Sequence, residues 1–200
     1  MDKNKALKDV QHFIQSTFDK DVSGHGYDHM KRVALWSKKI ACKEGADPFL
    51  AEVTGWLHDV GDEKLFDHPE DAERQLRKLL LDIGLTASAI HEVEDAIASV
   101  SFRKGMIPNC LLGKVVQDAD RLDAVGAIGI ARTFAYGGAN QQMIDGEKGD
   151  RTSIQHFYDK MLKIKGKMNT DSGREEAHRR HLFMEEFLNQ YEREQNTAKN

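Results

Sequence analysis

Cysteine and proline are scarce in this sequence, at two and three of 200 residues, and no apolar run is long. The two cysteines, Cys42 and Cys110, lie far apart and form no Cys-x-x-Cys pattern. That argues against a disulfide framework and for two reduced core thiols in an intracellular protein. No stretch approaches the roughly 20 apolar residues that cross a bilayer, so no membrane span is expected. The start, Met1-Asp2-Lys3-Asn4-Lys5, is polar and lacks the apolar core of a signal region. Neither charge sign dominates: 29 basic residues face 33 acidic ones, a formal net charge of -4. Strong attraction to a nucleic-acid polymer or an anionic membrane is therefore not expected. A cytoplasmic location is the expected default.

Strand patterns are also missing. No window alternates apolar and polar residues for long, whereas spacings of three and four recur throughout. Apolar residues at 40% and charged residues at 31% suit a soluble domain large enough to bury its own core. Leu7, Val10, Ile14 and Phe18 share one face of a first helix. A second begins near Tyr27, turns Met30, Val33, Ala34, Ile40 and Ala41 inward, and stops near Gly45. Asp47-Pro48 caps and opens a third, which runs to His58 and breaks at Gly61. His68-Pro69 opens a fourth, ending at Gly84, and Thr86 caps a fifth through Ile90, Val93 and Ile97.

A further helical stretch runs from Leu111 to about Tyr136, interrupted at Gly126 and Gly129, with Gly137-Gly138 ending it. Residues 137–153 read as a loop. Ser172-Gly173-Arg174-Glu175 matches a capping box that starts a long terminal helix through Leu182, Phe183, Phe187 and Tyr191. The expected fold is one all-α domain over 1–194, with C-terminal helices over about 153–194 and a disordered tail at 195–200. Trp36 and Trp56 are spaced as helix-core residues. His178-Arg179-Arg180-His181 and the lysines 160, 163, 165 and 167 read as solvated surface.

Four residues stand out against this background. His58-Asp59 ends the apolar stretch 49–57, and Val60-Gly61-Asp62-Glu63-Lys64 follows with a turn and a dense group of charges. His29 lies upstream in Gly24-His25-Gly26-Tyr27-Asp28-His29. Asp120 lies downstream in Asp118-Ala119-Asp120-Arg121-Leu122-Asp123. Two imidazoles and two carboxylates make a mixed nitrogen and oxygen donor set that suits a catalytic divalent metal with open positions. On a helix Asp120 and Asp123 share a face while Asp118 points elsewhere; Asp118 stays open as the fallback to Asp120.

His29, His58-Asp59 and Asp120, in that order, resemble the pattern of the HD-domain phosphohydrolase superfamily, over about residues 24–132. The segment 118–126 resembles that of small single-domain bacterial HD hydrolases. The resemblance implies a single helical-bundle HD domain with extra C-terminal helices. It also implies that His29, His58, Asp59 and Asp120 hold the metal, the Ala-Asp-x-Leu setting favouring Asp120. Mn²⁺ is the preferred cation, with Zn²⁺, Co²⁺, Ni²⁺, Fe²⁺ and Mg²⁺ as others the donor set accepts. Some HD families carry additional histidines between the central pair and the last Asp to bind a second metal. Here that stretch reads Ser99-Val100-Ser101-Phe102, so one metal is expected.

The implied activity is hydrolysis of a phosphate or pyrophosphate bond in a small phosphorylated metabolite, a nucleotide above all, by a metal-activated water. Asp62 and Glu63 resemble, in reversed order, the Glu-Asp pair of alarmone hydrolases and are candidates for proton transfer. Lys64, Arg103 and Arg121 are candidates to neutralise phosphate oxygens. His25 could line the same pocket, and His91 reads as an exposed residue. Two alternatives stand beside this reading: an alarmone-type pyrophosphohydrolase, and a non-catalytic metal- or nucleotide-binding regulator on the same scaffold. A purely helical interaction protein would leave the clustered residues without a purpose. Oligomeric state is not legible.

Overall fold

A computed structural model describes residues 1–18, 25–100, 107–147 and 150–197. Among these the chain is helical, with no strand, as expected. No described helix is long and apolar enough to cross a membrane. Two compact units are distinguished, Met1–Asp120 and Arg121–Asn200, the division falling immediately after Asp120, the last candidate metal ligand.

The first unit holds α1 (Lys3–Phe18), α2 (Tyr27–Glu44), α3 (Pro48–Leu57), α4 (Pro69–Asp82), α5 (Ala87–Val100) and most of α6 (Leu111–Asp123). α3 is its centre, packed on α1, α2 and α5. Its sequence explains why: eight of its ten residues are buried, so no face is left for water. Asp47 starts it by accepting hydrogen bonds from the Phe49 and Leu50 amides, at 2.7 and 3.1 Å. Pro48 then fits the first turn, where its missing N–H costs nothing.

α2 lies closely against α3. At Gly55 a side chain would sit 2.7 Å from both the Ala34 Cα and the Ser37 Oγ, so the contact depends on the absence of a Cβ. Met30, Val33, Ala34, Ile40 and Ala41 are all buried, as the helical spacing requires. Trp56 is buried against the Tyr27 ring, 5.1 Å between centroids. Several expectations need correction. Ala6 rather than Leu7 completes the fully buried row of α1, and Leu7 beside it is half-buried. Trp36 is only half-buried and lies beneath the Lys39 ammonium, 4.3 Å from its ring. Cys42 is exposed and Cys110 half-buried; both are free, but neither is a core thiol.

The second unit contains α7 (Gly126–Ala139), α8 (Ser153–Asp159), a 3-10 helix (Met161–Lys167) and α9 (Asp171–Thr197). α7 is a separate helix, and it runs through Gly137-Gly138 rather than ending there. Thr152 caps α8 through the Gln155 amide, so the expected loop 137–153 shortens to residues 140–152, of which 148 and 149 lie outside the described residues. α9 starts at Asp171, one residue before the expected box, because the Thr170 hydroxyl accepts from the Gly173 amide at 3.1 Å.

The buried row of α9 is Ala177, His181, Met184 and Leu188, while Leu182 and Phe183 face solvent. Phe187 stacks on Phe157 at 5.7 Å. The basic run divides: His178 and Arg179 are exposed, but His181 is buried and Arg180 turns inward to donate to the Leu122 carbonyl. Gln195, Asn196 and Thr197 are helical, not a disordered tail; residues 198–200 lie outside the described residues.

Candidate metal centre

The His58-Asp59 pair gains its geometry from the way α3 ends. His58 is the C-cap and keeps right-handed helical angles. Its ring Nδ1 lies 2.9 Å from the Gly55 carbonyl. A carbonyl only accepts, so Nδ1 carries the hydrogen, and Nε2 presents its lone pair. After the pair the chain tightens: the Val60 amide donates to Leu57 and the Asp62 amide to Asp59. Gly61 then adopts φ +86°, a left-handed conformation that suits glycine and turns the chain away. At this turn His58 Nε2 and Asp59 Oδ1 come within 3.3 Å of each other.

His29 comes from the first turn of α2 and Asp120 from α6. His29 Nε2 stands 3.7 Å from Asp59 Oδ2 and 3.6 Å from Asp120 Oδ1. His58 Nε2 stands 3.3 Å from Asp59 Oδ1 and 3.8 Å from Asp120 Oδ1. The two imidazoles meet edge to face, 5.2 Å between centroids. Ligand atoms of His29, His58 and Asp120 all lie within 4.8 Å of one another, as do those of His25, His29 and Asp59. His29 belongs to both groups.

This donor set fits a divalent cation. Metal–ligand bonds of about 2.0–2.2 Å place neighbouring ligand atoms about 3.0–3.5 Å apart, close to the separations here. His58 Nε2 is buried and has no hydrogen-bond partner among the described residues. A buried lone pair facing two carboxylates is unfavourable unless a cation or proton occupies the space. The fixed tautomer of His58 is the arrangement metal-binding histidines use, with the far nitrogen tied to a carbonyl. Asp59 adds to the case. Burial pushes its carboxyl up, but electrostatic attraction to the His58 ring, the hydrogen bond from His25 and attraction to the His29 and His25 rings outweigh that. They hold it well below the usual carboxylate range.

Other expected site residues are placed as follows. Asp62 is half-buried, and its Oδ1 accepts from the Lys64 amide at 2.9 Å. Glu63 and Lys64 are exposed in the same turn. Neither Asp62 nor Glu63 belongs to the two ligand groups. Asp118 is fully buried and outside both groups, whereas Asp120 is 28% exposed at its side chain and within one. Asp123 is buried and paired with Arg132. Arg121 is buried too, and its Nη1 donates to the Lys167 carbonyl. Arg103 lies outside the described residues, as do Ser101 and Phe102. His91 is exposed beside Asp95.

The residue whose place the sequence conveyed least is His25. Its Nδ1 lies 2.8 Å from Asp59 Oδ2, and its ring stands edge-on to His29, 5.4 Å between centroids. The only signal was its position four residues before His29.

The HD domain family model matches residues 26–125, a span containing all four candidate ligands. Together with its relatives, this shows that the chain belongs to the HD domain family. YpgQ of Bacillus subtilis is 37% identical over 194 residues, covering 95% of this chain and 94% of the relative. Its crystal structure in complex with ADP superposes with a TM-score of 0.82 at 36% identity, over 94% of this chain and 97% of that one. An HD-superfamily hydrolase from Bacillus thuringiensis matches with a TM-score of 0.83 at 36% identity, over 97% and 98% of the two chains. The likeness thus extends over nearly the whole chain, beyond the matched domain, and the family is one of hydrolases.

Proposed function

We propose that the protein is a metal-dependent phosphohydrolase acting on a small phosphorylated metabolite, a nucleotide above all. The observation that carries this reading is the buried Nε2 of His58, held in one tautomer by Gly55 and facing the carboxylates of Asp59 and Asp120. His29, His58, Asp59 and Asp120 hold one divalent cation, Mn²⁺ by preference, since a six-coordinate ion keeps two positions open beside four protein ligands. When bound, the cation lowers the pKa of a water and neutralises charge on a phosphoryl oxygen.

The remaining work falls to the turn after Asp59. Asp62 braces the turn through the Lys64 amide, which keeps Glu63 and Lys64 together at the surface. In this reading Asp62 or Glu63 takes the proton as water attacks phosphorus, and it passes to the leaving oxygen. Lys64, with Arg103 from the segment after α5, balances the charge that develops on the phosphate. Arg121, held on the Lys167 carbonyl, serves chain structure in this reading. The ADP bound by YpgQ supports a nucleotide as the phosphorylated ligand.

The test is a panel of nucleoside mono-, di- and triphosphates and simple phosphate esters, run with Mn²⁺, Co²⁺, Zn²⁺ and Mg²⁺ in parallel. Release of phosphate or pyrophosphate from a nucleotide, abolished by Asp59→Ala, is expected. No turnover on the whole panel, with metal demonstrably bound, would replace the enzyme by a binding regulator.

A further inference from the structure

We propose that His25 is a positioning residue for Asp59, orienting its carboxylate for the cation by donating a hydrogen bond from Nδ1 to Oδ2. The inference rests on the metal-centre reading above and assigns a part to a residue outside the four expected ligands.

Three observations carry it. The first is the contact itself: Nδ1 and Oδ2 are 2.8 Å apart, the length of a charge-assisted hydrogen bond. An ionised carboxylate only accepts, so the hydrogen sits on His25 Nδ1. The second is exclusivity. Among the described residues no other group donates a hydrogen bond to the Asp59 carboxylate; its approaches to His29 and His58, at 3.7 and 3.3 Å, form none. Without His25, rotation about the side-chain torsions of Asp59 would be checked only by packing. The third is direction. Tying down Oδ2 on the His25 side leaves Oδ1 toward His58 Nε2, the atom whose lone pair faces the candidate cation space.

His25 can do this because of where it stands. It precedes the first turn of α2, with Gly26 as N-cap, and its ring rests edge-on against His29. The same ring therefore touches one candidate ligand and hydrogen-bonds another from a segment 34 residues away in sequence. At 40% side-chain exposure it lies at the mouth of the site, not beneath it. Direct ligation by Nδ1 is the competing role, since that nitrogen also lies in a ligand group with His29 and Asp59. A cation on Nδ1 would have to displace the hydrogen that now joins the ring to Asp59.

Three substitutions separate these roles. Asn places an amide N–H where Nδ1 stands, Gln places one nearer Nε2, and Ala removes both. The readout is Mn²⁺ affinity, measured from the free-ion electron paramagnetic resonance signal during titration of the full-length protein. For His25→Ala and His25→Gln the affinity should fall about 10- to 100-fold, the usual effect of losing a group that orients a metal ligand. His25→Asn should stay within about threefold of wild type, by restoring the donor. Asn and Gln are equally polar, so a general folding defect would lower both, and the difference between them decides. Unchanged affinity in His25→Ala overturns the proposal, and so does a loss in His25→Asn as large as in His25→Gln. Wild-type protein that binds no Mn²⁺ would overturn the metal-centre reading itself, a result distinct from either.

Discussion

Replacing Gly55 by alanine tests the link between packing and site most sharply, because two physical effects predict opposite signs. In an isolated helix the change should stabilise by about 1 kcal/mol, since glycine is the poorer helix former. In this fold the new Cβ would stand 2.7 Å from the Ala34 Cα and from the Ser37 Oγ, and 3.1 Å from the Ala34 amide nitrogen. Ordinary carbon contacts lie at about 3.5–4.0 Å, so α2 and α3 would have to separate locally by about 1 Å. The Ala34 backbone cannot rotate aside as a side chain would. Overpacking of this kind costs about 3 kcal/mol at the upper end of its range, which leaves a net loss of about 2 kcal/mol after the helical gain.

For a chain of this size that loss lowers the melting temperature by roughly 4–8 °C. The site should respond as well, because the Gly55 carbonyl holds His58 Nδ1 and α2 carries His29. Divalent-metal affinity should fall by about tenfold or more. Differential scanning calorimetry and metal titration check the two parts. A Gly55→Ala protein as stable as wild type, with unaltered metal affinity, would refute the close-packing argument.

Further predictions follow from single contacts. Asp47→Ala removes the cap from two amides at the start of α3 and should cost about 1 kcal/mol in urea denaturation. Asp47→Ser should recover most of it. In the second unit, burial raises the Glu176 carboxyl, but hydrogen bonds and charge from Arg179 and Arg180 outweigh this and leave it below its ordinary value. A carboxylate depressed in the fold contributes stability above its unfolded pKa and loses it as pH falls through the folded value. Glu176→Gln should therefore cost roughly 1 kcal/mol at pH 7, after allowing for solvent screening, and the difference should close in acid. His156 is held below its usual pKa by burial and by Lys160. It stays neutral in the fold while the unfolded chain takes up a proton, so its contribution weakens as pH falls through the ordinary histidine range. His156→Gln should flatten that part of the pH–stability curve.

Much of this arrangement was legible because the signals were local. Asp47-Pro48 opens α3, Gly45 closes α2, and three-and-four spacing selects the buried residues of α2, each a matter of neighbouring residues. Helical spacing separates Asp118 from Asp120 without choosing between them, and the preference for Asp120 came from the family resemblance; Asp118 is fully buried, and Asp120 lies in a candidate ligand group. Where reading failed, packing or a competing cap decided. Thr170 outcompeted Ser172 at the start of α9, and Leu182 and Phe183 face solvent because the buried row runs through His181 and Met184. His25 was obscure for a similar reason. Its value comes from the meeting of the start of α2 with the end of α3, which no local pattern records.

The central claim is that His29, His58, Asp59 and Asp120 form one metal centre. Anomalous X-ray diffraction from crystals grown with Mn²⁺ tests it most directly. A single strong anomalous peak is expected in contact with Nε2 of both histidines and one carboxylate oxygen of each aspartate. A peak seated instead on His25 Nδ1, or no peak among these side chains at saturating Mn²⁺, would contradict it.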